Sequence, residues 1–154
     1  MNYKENGNGK QFSCNIQQLG GSMREIKYRM WNKKEKKMYD VGVLDFDYKQ
    51  VYMTGYLNYT KSSYLYDDIE LMQFTGLHDK NGKEIYEGDI VEIKHKGETD
   101  IGKIIYEYNG FTVDVMNMNK PYGRIKLEML EKFIEVIGNI YENSDLLKGA
   151  DNIE

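Results

Sequence analysis

The eight residues REIKYRMW, at 24–31, alternate strictly: Ile26, Tyr28 and Met30 fall on one side of an extended chain, and Glu25, Lys27 and Arg29 on the other. A period of two suits a half-buried strand and cannot give a helix one apolar face. The chain must therefore build its core by pairing strands. A polar turn at 32–37 returns the chain through MYDVGVLDF, which predicts a first hairpin. QVYMTGYLNY at 50–59 and DIELMQF at 68–74 carry further β-branched and aromatic residues at strand spacing, separated by the polar TKSSYLYD. The expectation for the first lobe, about 23–75, is a β-meander of about four strands.

A second lobe, about 84–148, reads differently. DIVEIKH at 89–95 is a mixed strand, and IGKIIYEY and FTVDVMN flank Asn109-Gly110. That pair tolerates the two positive φ angles of a type I′ turn, whose twist matches the strands it joins. After a loop at 118–124, Leu127, Leu130 and Phe133 recur at i, i+3 and i+6, enough for one or two helical turns. FIEVIGNI closes as a strand, and Ser144 can cap a short terminal turn. A small curled sheet with a helical turn before its last strand is the order of an SH3-like barrel. The expected fold class is thus mainly β, a β-rich α+β protein with an N-terminal β-meander lobe and a small SH3-like barrel lobe. Such barrels host many functions, so the fold alone names none.

With 154 residues, one Pro, 40% apolar and 30% charged positions, the chain suits one globular unit. A chain of this length buries roughly two-thirds of the surface its unfolded form exposes, so neither a disulfide nor a structural metal is required. The sole cysteine, Cys14, has no partner within the chain, which favours a reducing compartment. No apolar run approaches the roughly 18 residues that would span a bilayer, so no membrane partner is expected. Residues 1–22 are polar, Gly- and Asn-rich and aperiodic, and read as a disordered leader or as an artificial or upstream-reading extension; residues 149–154 read as a tail. Charge is uneven: residues 24–50 carry eight Lys/Arg against five Asp/Glu, and 51–154 carry eleven against nineteen. The basic excess centres on KKEKK at 33–37, where a hairpin should turn, and a solvated turn is preferred to a phosphate groove.

The densest chemistry lies at the chain's midpoint, in GLHDKNGKEIYEGDIV at 76–91. A calcium loop starting at Asp79 would want oxygen ligands at positions 1, 3, 5 and 12 and Gly at 6. Here Gly82 falls at 4, Lys83 at 5 and Ile90 at 12. Zinc would want several Cys or His at short spacing, and only His78 and His95 are on offer. A two-carboxylate hydrolytic site drawn from Asp79, Glu84, Glu87, Asp89 and Glu92 has little specificity in a chain this rich in charge. DKNG does supply turn chemistry, because Asp79 can cap its own backbone and Asn81-Gly82 can take left-handed geometry. Glu87-Gly88-Asp89 likewise fits a bend before a strand. The midpoint is therefore expected to shape backbone, with no catalytic residue, no metal ligand and no cofactor assigned.

Four blocks, MREIKYRMWNKKEKKMYDV, LMQFTGLHDKNGKEIYEGDIV, GKIIYEYNGF and EVIGNIYENSDLL, stand in the order of the signature blocks of the YopX family of phage and prophage proteins, which the chain resembles from Met23 to about Leu147. The resemblance implies that Met23 is the natural start. Ser144 stands where the family block commonly has Pro, and either residue can begin a helical turn. It further implies a β-rich protein that tends to oligomerise in the host cell cytosol, and it brings no activity or catalytic residue with it. Trp31, Met38, Gly76, Leu77, Gly82, Gly88, Asp89 and Gly138 fall on motif positions, each with a role in packing or turning.

Two function classes follow. One is a non-catalytic, homo-oligomeric interaction protein that binds a host or phage protein, supported by 14 Tyr and nine Met that offer adaptable contact area. The other is a nucleic-acid binder using Lys94, Lys96, Lys103, Arg124 and Lys126, with Tyr106 or Tyr122 for stacking. The acidic balance disfavours the second.

Overall fold

The computed structural model describes residues 25–54, 63–116 and 123–148. Two antiparallel sheets organise them. The first contains β1 (Tyr28–Asn32), β2 (Lys37–Asp45), β3 (Gln50–Met53), β4 (Ser63–Leu65), β5 (Ile69–His78) and β6 (Glu84–Tyr86), in the order β4-β3-β2-β1-β5-β6. The second contains β7 (Asp89–His95), β8 (Glu98–Glu107), β9 (Gly110–Val115), β10 (Arg124–Lys126) and β11 (Ile134–Asn139), in the order β10-β9-β8-β7-β11. A 3-10 turn, Leu127–Met129, precedes β11, and one short helix, α1 (Asp145–Lys148), follows it. The protein is mainly β, as the alternation required. The second sheet has the strand order of an SH3-like barrel, but among the described residues no ladder joins β10 to β11 and the barrel stays open. No helix among the described residues is long and apolar enough to cross a membrane.

The first four strands form the expected meander, and β5 then pairs with the free side of β1. One stretch differs from the sequence reading. β4 and a 3-10 turn, Tyr66–Asp68, form inside the polar TKSSYLYD, because Tyr64 and Tyr66 pack against the cluster of Met30, Val51 and Ile69. Tertiary burial of two aromatics outweighs local polarity there. The later part of the expected third strand, 55–59, lies outside the described residues.

The hairpin turns share one device. Asn32 Oδ1 accepts the N–H groups of Lys34 and Glu35, both at 2.9 Å, and Asp45 Oδ1 accepts those of Asp47 and Tyr48 at 3.1 and 3.0 Å. Each loop ends on a left-handed lysine, Lys36 or Lys49. At the β8–β9 turn the expected register is off by one. The left-handed residues are Tyr108 (φ 48°) and Asn109 (φ 64°), while Gly110 already pairs with Glu107 as the first residue of β9. Strand register decides the position: Ile104 faces Val113 in the core only if Tyr108 and Asn109 form the tip.

Being central, β1 is buried on both faces. Met30 joins the Val51 and Ile69 cluster on one side, and Trp31 joins Met72, Phe74 and Tyr86 on the other. The face that carries Lys27, Arg29 and Trp31, the charged side of the alternation, also meets the rest of the molecule. The core of the second sheet gathers Val91, Ile93, Ile104, Val113, Val115, Leu127, Ile134 and Val136, and it also takes in Leu77 from β5 and Ile85 from β6.

Candidate functional site at the junction of the sheets

The midpoint stretch is where the chain leaves one sheet for the other. β5 bulges at Gly76, whose φ of 87° is open to glycine at little cost. The bulge leaves backbone groups out of register, and the buried Thr75 hydroxyl fills the gap: its Oγ1 donates to the Ile85 carbonyl at 2.8 Å and accepts from the Leu77 N–H at 3.2 Å.

Asp79 then closes the turn. Its Oδ1 accepts from the N–H groups of Asn81 and Lys83 at 2.8 and 2.9 Å, while Oδ2 reaches across to the N–H of Val136 on β11 at 2.9 Å. The side chain is buried, which works to raise its pKa. The three N–H donors, from Val136, Lys83 and Asn81, together with the Lys83 charge outweigh that and hold it below the ordinary carboxylate value.

Ten residues later Asp89 is buried by different means. Its carboxylate is ion-paired with the Arg29 guanidinium, and its second oxygen accepts the Tyr86 N–H at 2.8 Å. The side chain is 1% exposed, and burial pushes its pKa up further than Arg29 and the Tyr86 N–H pull it back. Arg29 lies over the Tyr86 ring at 4.7 Å. Beside this pair, Lys27 is bonded to Glu84, and the Tyr86 hydroxyl donates to the same carboxylate at 2.7 Å. That partner lowers the pKa of Glu84, whereas burial and then Glu84 raise that of Tyr86. Gly88, at φ 78°, donates to the Ile104 carbonyl and accepts from the Ile140 N–H, both at 2.9 Å; Tyr141 next to it stacks on Trp31 with centroids 5.7 Å apart.

Both oxygens of Asp79 accept backbone N–H groups, and both oxygens of Asp89 are engaged by Arg29 and the Tyr86 N–H. Asp79 lines a groove of about 410 Å³ between residues 76–80 and Glu131-Lys132, where Lys80 is held by Glu135 at 2.7 Å. Among the described residues no three His, Cys, Asp or Glu side chains converge as a metal site.

The five basic residues named from the sequence lie on the second sheet, and three meet carboxylates. Lys94 pairs with Glu92 at 2.8 Å, Lys103 with Asp114 at 3.6 Å, and Arg124 with Glu107 at 2.7 Å and Asp114 at 3.4 Å. Lys96 sits at the β7–β8 turn and Lys126 on the edge strand β10. The KKEKK turn is also neutralised locally, with Lys33 on Glu70 at 2.8 Å and Lys34 on Asp68 at 2.9 Å.

Comparison with known proteins adds the lineage. The sequence profile described as YopX protein matches residues 27–148. The chain belongs to the YopX family. Two solved structures of similar fold are those of protein EF1440 from Enterococcus faecalis and protein YopX from Bacillus subtilis. The first is 26% identical, with 81% of this chain and 99% of that one covered, and the second 24% identical, with 80% and 98% covered; the TM-score is 0.57 for both. A search of curated proteins finds no match. In this YopX-family chain the sequence reading missed Arg29 and Lys27 as junction residues, since their partners lie 60 and 57 positions away and no local pattern signals such a pairing. It also passed over the exposed aromatics at the β2–β3 tip, Phe46 and Tyr48.

Proposed function

We propose that this YopX-family chain is a non-catalytic, phage-encoded interaction module that works as a homo-oligomer in the host cytosol and binds a protein. One observation carries the reading. Beyond its pairing with β1, the outer half of β2 pairs with β3, and this arm ends in Phe46 and Tyr48, 75% and 74% exposed, near Val43 and Leu65 at 43% and 52%. Large apolar side chains gathered at one end of a sheet are what a protein partner covers. The junction carboxylates are engaged by backbone and by Arg29, which leaves them no reagent to activate.

Sedimentation equilibrium at micromolar concentration tests this directly. The expected mass is a multiple of 18.1 kDa, and a Phe46→Ser/Tyr48→Ser variant returns it to the monomer value. A clean monomer for the unmodified chain would contradict the assembly. Filter binding to single-stranded DNA at low salt should give no retention; binding that collapses as salt rises would favour a phosphate-contacting role instead.

A further inference from the structure

β11 is the outer strand of the second sheet, and an outer strand normally presents unpaired backbone groups to any extended chain that approaches. Here three of those groups, at Ile134 and Val136, are occupied by the midpoint turn. The Lys80 N–H donates to the Ile134 carbonyl at 3.1 Å, Asp79 Oδ2 accepts the Val136 N–H at 2.9 Å, and Lys83 Nζ donates to the Val136 carbonyl at 3.3 Å. Only the first is a backbone-to-backbone bond. At Val136 two side chains stand in for a neighbouring strand.

We propose that the turn at 79–83 is a built-in guard that keeps β11 from pairing with β11 of a second copy of this chain. The geometry of an antiparallel pair makes a second copy the natural occupant. Val136 turns both its N–H and its carbonyl outward, so two copies related by a two-fold axis through Val136 exchange both bonds between identical residues. Asp79 and Lys83 fill those two positions and close the edge. The surface is distinct from the β2–β3 tip, so the guard stands whether or not that tip assembles the protein.

The test compares Asp79→Ala with Asp89→Ala in the full chain by sedimentation equilibrium. Both variants weaken the junction, but only the first removes a bond to the outer side of β11 and with it the clasp that holds the turn against Val136. The expected result is an average mass about twice that of the unmodified protein for Asp79→Ala, no change for Asp89→Ala, and reversal in Asp79→Ala/Val136→Pro, which removes the outward N–H. Should alanine at 79 prevent folding, Asp79→Asn carries the same test, because an amide keeps one acceptor for the turn and withdraws the other from Val136. An unchanged mass for the 79 variants, an equal rise for Asp89→Ala, or association that survives the proline would each overturn the guard.

Discussion

Asp79 and Asp89 are both buried carboxylates at the seam between the sheets, yet they are solvated in opposite ways. Asp79 is held by three backbone N–H groups, and its charge is spread over peptide dipoles that the turn and β11 supply. Asp89 depends on one guanidinium with a single N–H in support. Their pKa values move in opposite directions as a result. The difference teaches that burial alone does not mark a carboxylate as reactive. Saturation by backbone donors leaves an acid inert, and pairing with one side chain makes it fragile.

Removing Asp89 should have the largest effect. Asp89→Ala strands a mostly buried Arg29 charge, and breaking such a pair from one side costs about 3–5 kcal/mol. Urea unfolding followed by the fluorescence of Trp31, the single tryptophan, reads this loss; a shift below about 1 kcal/mol would erase the contrast. Asp79→Ala should cost less, about 2–3 kcal/mol, since the Asn81 and Lys83 amides border a turn that water can enter and only Val136 is left dry. Equal losses for the two variants would mean that donor type does not matter.

Titration sharpens the contrast. Asp79 has a folded pKa below its unfolded value of 3.8, so its contribution is present above that value and lost as pH falls through the folded one. Asp89, raised above 3.8, contributes in the other sense: stability is greatest below that value and declines as pH rises through the folded pKa. Asp79→Asn should therefore flatten the stability profile below about pH 4. An acid limb as steep as that of the unmodified protein would place the titrating group elsewhere. The smallest effect is expected for Arg124→Ala on the open face of the second sheet, about 0–1 kcal/mol despite its two ion pairs, because exposed pairs are screened.

How far the sequence disclosed this depends on the range of each interaction. The DKNG turn, the paired strands and the helical turn before β11 were legible because each rests on neighbours within a few residues. The Asn109-Gly110 pair located a hairpin but not its tip, since register is fixed by the packing of Ile104 and Val113 across the ladder. The partner of Arg29 was not legible because alternation reports which side of a strand is charged, and cannot say that a buried aspartate sixty residues later will meet that side. The role of Asp79 was half visible: the turn it caps is local, whereas Val136 is 57 positions away.

Amide hydrogen exchange at Val136 and Tyr86 tests most directly whether these two acids exist to hold backbone. At a concentration low enough to keep the variants from associating, Asp79→Ala should speed exchange at Val136, Asn81 and Lys83 while Tyr86 stays protected, and Asp89→Ala should release Tyr86 while Val136 stays protected. Protection unchanged at all of these amides in both variants would contradict the account.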